Sequence, residues 1–226
     1  MTRPPRDAVT RSAPRRKRPG RYHHGDLRRA LLDAALRAIE EEGVNAVTIR
    51  ALARRLGVSH AAPAHHFHDR DALLVEVATE GFAAFADALE AAARTESDPS
   101  RRLVAVGCAY VRFAIDRPAY LRVIFGHGRR NEITAPEPLK REGERAYRAL
   151  TDTVGALAAT VPGAPAPVDE LALAAWSLVH GLAMLWIDGP ARAVPGGRAG
   201  FEALVERTLR RAIPGLVPGA RLRQAR

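Results

Sequence analysis

The chain has 226 residues, 47% of them hydrophobic and 27% charged, enough for a sizeable core in one or two domains. Its formal charge of +10 is uneven: residues 1–25 hold eight Lys or Arg against one Asp, a local +7 that leaves +3 for the other 201 residues. Basicity gathered in a terminal arm points toward a polyanion such as nucleic acid, and the single Cys108 excludes an internal disulfide and fits a reducing cytoplasm.

Residues 1–21 are rich in Arg and Pro and have no apolar periodicity, so no independent fold is expected there. Two readings stay open for them: a solubilising tail, or an arm along phosphates or in a minor groove. The basic start lacks the apolar core of a signal peptide. Asp26 can cap a helix over 27–42, whose inner stripe is Leu27, Leu31, Ala35, Ala38 and Ile39. Glu40, Glu41 and Glu42 sit at its negative end, a locally unfavourable placement that the sequence leaves unexplained. Gly43 ends that helix.

Thr48 is a good N-cap for a helix over 49–56. Ile49, Leu52, Ala53 and Leu56 give it one apolar face, and Gly57 stands where a helix ends in a left-handed residue. Ser59 can cap a second short helix over 59–67. Two short helices with a Gly turn between them form the helix-turn-helix pattern, whose second helix enters the DNA major groove. Arg28, Arg50, Arg54 and Arg55 are then candidates for phosphate contacts, with Thr48 and Ser59 beside them. His60, Ala61 and Ala62 open the second helix, where base edges are met; His can donate to guanine, and Ala can touch a thymine methyl. With no Lys or Arg on that helix, direct readout is expected to be modest.

This segment resembles the DNA-binding domain of the TetR family of bacterial repressors. The resemblance rests on the 27–42 helix, Gly43, Thr48, Ile49, Leu52, Ala53, Gly57, Val58 and Ser59, and continues through His66, Phe67, Asp69, Arg70, Asp71 and Leu73. Two positions depart from the family pattern, which often has Leu or Phe followed by Tyr where this chain has Pro63 and Ala64. Ala64 removes a hydroxyl that in relatives touches a phosphate, so that contact is absent or passes to His65 or His66. His60, His65, His66 and His68 do not have the spacing of a zinc motif, and no metal or cofactor is expected.

The rest of the chain reads as helices, so the fold class is all-α. Asp69 caps a long helix to 94; further helices are expected from 100 to Pro118, over 119–125, 139–161, 169–187 and 201–213, with a polar loop at 126–138, a linker at 162–167 and a frayed tail from 216. The domain expectation is an arm (1–21), a DNA-binding head (22–72), a body for ligand and dimer contacts (73–215) and a tail (216–226). Residues 171–187 are apolar enough to be tested as a membrane span, but they include Ser177 and His180, and a buried interface helix fits better; no membrane partner is expected.

Trp176, His180 and Gly181, together with Asp116-Arg117-Pro118 and residues 120–126, resemble one subgroup of TetR-like C-terminal domains with a Trp-His-Gly signature. The family resemblance implies a homodimeric repressor on a palindromic, double-stranded DNA operator, released by a small-molecule effector; an architectural or activating DNA binder without an effector is the alternative. It also implies pairing of the last two helices between subunits, with Leu178, Leu182, Leu185, Val205 and Leu209 as interface candidates. Seven of the twelve aromatic residues fall between Tyr110 and Trp186. Tyr110, Phe113, Tyr120, Phe125, Tyr147 and Trp176, with His180 and Met184, are therefore candidates for an apolar effector pocket. No G-x-S-x-G, H-E-x-x-H, Gly-rich phosphate loop or C-x-x-C occurs, and no catalytic residues are expected.

Overall fold

The computed structural model describes residues 27–126, 135–161 and 166–217, and among them every regular element is helical. The basic arm, the Asp26 cap and all but the first residues of the tail lie outside the described residues. In chain order the helices are α1 (Leu27–Glu42), α2 (Ile49–Leu56), α3 (Arg70–Arg94), α4 (Pro99–Asp116), α5 (Pro118–Gly126), α6 (Glu137–Ala158), α7 (Val168–Ile187) and α8 (Gly197–Leu216). Short 3-10 turns occupy Val44–Ala46, Ala62–His65 and Pro190–Ala193.

Local chemistry sets several of the helix ends. The Thr48 hydroxyl accepts from the Ala51 N–H at 3.1 Å, Asp69 from Ala72 at 2.7 Å and Asp98 from Arg101 at 2.9 Å. Each satisfies one first-turn donor that has no partner inside its helix. α4 starts at Pro99 because proline fits the first turn and Asp98 takes the cap. Gly57, left-handed at φ 67°, closes α2 by returning its N–H to the Ala53 and Arg54 carbonyls.

Residues 59–67 differ from expectation: they form no α-helix, only the 3-10 turn Ala62–His65. Pro63 has no N–H to return to the Ser59 carbonyl, so the chain closes tighter bonds. Ala62 bonds Ser59 at 3.1 Å and Ala64 bonds Ala61 at 3.2 Å, both three residues back. Ala61, not Ser59, stands at the N-cap of this turn, with no side-chain cap bond. Pro63 itself is buried and anchors the turn to the head.

The head is α1, α2 and the start of α3. Leu31, Ile39, Val47, Leu52 and Leu73 are fully enclosed at its centre. α3, with 25 residues, spans about 37 Å. It sends Leu73, Leu74 and Val77 into the head and Phe85 and Leu89 into the body, so the expected boundary at 72/73 falls inside one continuous helix. α6 packs along α3, and Arg145 on α6 ties the two together through Asp87 and Glu90, the latter at 2.6 Å. α5 lies against α3 where Gly81 leaves room: a Cβ there would come within 2.9 Å of the Tyr120 ring.

α8 runs antiparallel to α4, with Arg198 paired to Asp116 at 2.6 Å and Glu202 to Arg112 at 3.4 Å. On α7 the row Leu171, Ala175, Val179, Ala183 and Ile187 enters the core at four-residue spacing. The opposite row, Leu173, Ser177, Gly181 and Leu185, faces outward. α7 is long and apolar enough to cross a membrane by length and composition, and these two apolar faces account for that.

The interface candidates divide accordingly. Leu185 is 49% exposed, and Leu178 and Leu182 are half-buried. Val205 and Leu209, at 1% and 6%, are instead core residues of the single chain, because the apolar stripe of α8 turns onto α4. Leu173 at 59% and Leu204 at 37% are also exposed, and the sequence pattern singled out neither.

Candidate nucleic-acid interface and apolar cavity

In the head, the four arginines separate into two pairs. Arg28 pairs with Glu76 on α3, and its guanidinium lies 5.6 Å from the centre of the Phe67 ring. Arg55 pairs with Glu41 at 2.8 Å and with Glu42. These two carboxylates hold the Arg55 guanidinium firmly charged and account for the acidic end of α1. Arg28 and Arg55 are thus committed within the head, which the sequence alone did not reveal. Arg50 and Arg54 are exposed, and no ion pair engages either among the described residues.

Beside these two cations lie exposed Ser59, His60, Ala61, Ala64 and His65, while Ala62 and His66 are half-buried. The oxygen of exposed Thr48 serves the α2 cap, and its proton remains available to a phosphate. The exposed side of this turn therefore carries small side chains and imidazoles, flanked by two guanidinium groups that no ion pair engages among the described residues. Arg70, at the start of α3, holds the Val44–Ala46 turn that leads into α2, donating to the Val47 carbonyl at 2.8 Å and to that of Val44 at 3.1 Å. Among the described residues no three His, Cys, Asp or Glu side chains gather as metal ligands.

The body encloses a cavity of about 560 Å³ between α3, α4, α6, α7 and α8. Of the aromatic candidates, Tyr110, Phe125, Tyr147 and Trp176 lie on its wall. His180 sits beside it, its Nδ1 at 2.8 Å from the Tyr110 hydroxyl, and Trp176 Nε1 donates to the same oxygen at 3.4 Å. Burial pushes the Tyr110 phenol above and the His180 imidazole below their ordinary values, so both are neutral near pH 7.

Three candidates lie elsewhere. Phe113 packs under Phe85, ring centres 5.0 Å apart, because that face of α4 turns to α3. Met184 is half-buried farther along α7, off the wall. Tyr120 points to the head, donating to Glu80 at 3.2 Å. Glu80 in turn accepts from Arg29 on α1 at 2.8 Å, and Arg29 also holds Asp33. The sequence pattern missed the aliphatic walls, Leu89 and Leu103 on one side and Leu139, Leu150 and Ile213 on the other. Their helical spacing marked them as inward-facing, but spacing does not say which part of an interior stays empty.

α5 touches both sites. Phe125 closes one end of the cavity, 5.7 Å from the Trp176 ring and 5.1 Å from that of His180. From the same helix Tyr120 grips the Glu80–Arg29 pair, and Arg122 donates to the Ile39 carbonyl of α1 at 3.4 Å.

Comparison with known proteins agrees with this geometry. Residues 31–77 match the family described as bacterial regulatory proteins, tetR family, and residues 103–209 match the tetracyclin repressor-like C-terminal domain, a match to that domain class rather than to a Trp-His-Gly subgroup. The chain is 29% identical over 115 residues to the HTH-type transcriptional regulator YobS of Bacillus subtilis, covering 50% of this chain and 60% of that one. It is 32% identical over 108 residues to the HTH-type transcriptional regulator BetI of Rhizobium meliloti, covering 46% of this chain and 53% of that one. The matches thus span about half to three-fifths of these relatives. Among solved structures, a protein of unknown function from Rhodococcus sp. RHA1 superposes with a TM-score of 0.70 at 33% identity, over 87% of this chain and 98% of that one. A tetR-family regulatory protein from Rhodococcus RHA1 shares the fold with a TM-score of 0.63 at 24% identity, over 81% of this chain and 95% of that one. With a helix-turn-helix head and a C-terminal domain that both match it, this chain belongs to the TetR family of transcriptional regulators.

Proposed function

We propose that this protein is a homodimeric repressor that holds a palindromic operator through its two heads and lets go when a small apolar molecule fills the body cavity. The observation that carries the reading is the double attachment of α5. Phe125 closes one end of the cavity, while Tyr120 and Arg122 on the same helix hold α1 and α3 of the head. A molecule pressing on Phe125 shifts a helix fastened to the DNA-reading unit, and a packed helix answers by changing position rather than by deforming. The ligand then favours whichever head spacing leaves room for it, by as much as its affinities for the two arrangements differ.

The dimer reading rests on the outer face of α7 with Leu204 of α8. Leu173, Leu185 and Leu204 are exposed apolar side chains on adjoining helices. Ala174, Ser177 and Gly181 among them let a second helix approach closely. A second copy covers such a face isologously, and its two-fold axis matches the symmetry of a palindromic operator. On this reading the protein works in the cytoplasm, on DNA, with no metal or cofactor.

Footprinting on the DNA upstream of its own coding region tests the proposal. Two protected half-sites related by a two-fold axis are expected. A single unpaired footprint, or protection without sequence preference, would favour the architectural alternative.

A further inference from the structure

Building on the effector reading, we propose that the cavity selects a neutral, elongated apolar molecule carrying one hydrogen-bonding oxygen, and that this oxygen docks on the Tyr110 hydroxyl. Shape gives the elongation. Wall positions run from Phe82 to Leu89 on α3 and from Leu103 to Tyr110 on α4, about 10 Å along each helix, and from Leu139 to Leu150 on α6, about 16 Å. Because α8 is antiparallel to α4, Ile213 and Leu216 lie toward the end away from Tyr110. One end is therefore aliphatic, and the other holds the aromatic cluster of Tyr110, Phe125 and Trp176.

Among the described residues the distribution of charge disfavours an ionic group at the Tyr110 hydroxyl. Among the described residues the ionised groups on the wall are Lys140 and Glu144, one turn apart on α6 and opposite in sign. Glu144 is exposed and reaches Arg148 at 3.5 Å, which places it at the mouth, while Lys140 is half-buried one turn away. At the aromatic end the polar groups are the Tyr110 phenol, the Trp176 indole N–H and the desolvated, neutral His180. An anion or a cation docked directly on the Tyr110 hydroxyl would be buried among these uncharged groups, a far larger loss than one hydrogen bond can offset.

The three polar groups suit a single oxygen. The phenol has one proton and two lone pairs, and Trp176 can only donate, so it takes one lone pair. With the cavity empty, the phenol proton can go to His180 Nδ1, which leaves no buried donor idle. When a carbonyl or hydroxyl oxygen arrives, the phenol proton turns to it. The imidazole proton then moves from Nε2 to Nδ1 by exchange with water and donates back to the phenol oxygen. No net charge enters the site in either arrangement.

Trp176 is on the wall, while Trp186 is stacked on Phe201 with ring centres 4.9 Å apart, away from the cavity. The full chain with Trp186→Phe thus reports on the cavity through one indole. Its fluorescence is titrated with methyl decanoate, decanoate and decyltrimethylammonium, which share a tail and differ in charge. The ester is expected to bind at least about tenfold more tightly than either ion, and Tyr110→Phe to weaken the ester roughly tenfold while leaving the two ions unchanged. Decanoate or the ammonium binding as tightly as the ester overturns the proposal, as does silence with all three; the ranking in the parent does not depend on the variant folding. Operator binding measured on the same samples separates the two levels. Release by either ion with a failed ester ranking keeps an effector cavity and rejects the neutral class, whereas cavity binding by the ester without release rejects the effector reading and keeps the class.

Discussion

In the head, Leu31, Ile39, Val47, Leu52 and Leu73 are closed in on every side, whereas in the body Phe85, Leu89, Leu103 and Leu139 border about 560 Å³ of space. Protein interiors ordinarily leave few voids larger than a water molecule. The head obeys that rule and is braced by Arg70 and by the Arg55 pairs with Glu41 and Glu42. The body breaks it, and whatever fills the space recovers dispersion contacts that the folded chain alone does not make. On the proposed function the difference teaches where each task sits: the unit that holds DNA is fully packed, and the unit proposed to respond to an effector is left incomplete.

The largest expected effect tests that contrast. Leu31→Ala opens a hole in a filled core and should cost about 3–5 kcal/mol, whereas Leu139→Ala, whose side chain already lacks neighbours on its cavity side, should cost about 1–2 kcal/mol. Urea unfolding measures both, and equal losses would break the comparison. Leu185→Arg places a charge on the outward face of α7, far from either core. It should convert a dimer into a monomer in sedimentation while leaving helical content unchanged; a parent protein that is monomeric at micromolar concentration would remove the interface altogether.

A smaller effect separates the arginines of the head. Arg54→Ala should weaken every DNA sequence alike and lower the slope of log affinity against log salt by about one. Arg55→Ala should change that slope less, because Glu41 and Glu42 already neutralise it. The smallest effect belongs to His180. Burial depresses its pKa in the folded chain, so below about pH 6.5 the unfolded chain takes up a proton that the folded chain resists. The contribution of His180 is complete above that pH and is lost as pH falls toward the depressed value. Thermal melts from pH 7.5 down to about 5 should show a His180→Gln variant losing less stability than the parent over this window.

Much of this was legible from local chemistry. Thr48, Gly57 and Asp69 each act through groups within four residues, so caps and turns could be read along the chain. Pro63 was visible too, but its tolerance in a first helical turn competes with the N–H it removes, and here the missing bond decides in favour of a 3-10 turn. Arg28 and Arg54 are alike in sequence; only folding brings Glu76, 48 positions away, to the first of them. Val205 and Leu209 carried a correct apolar stripe whose inward direction depends on where α4 lies. The cavity is the least legible feature, since it is what remains between five helices whose stripes each look complete.

The central claim is that occupancy of the cavity is felt at the head through α5, and it can be tested without any ligand. Val106 lies on the cavity wall, and Val106→Trp extends a large side chain into the space that an effector would take. Fluorescence anisotropy on the footprinted DNA fragment gives the affinity of the variant, with sedimentation and circular dichroism establishing that it remains a folded dimer. The account predicts binding weakened roughly tenfold or more, a coupling of the size usual between linked sites. A folded, dimeric Val106→Trp protein that binds the fragment as tightly as the parent, with the same salt slope, would contradict it.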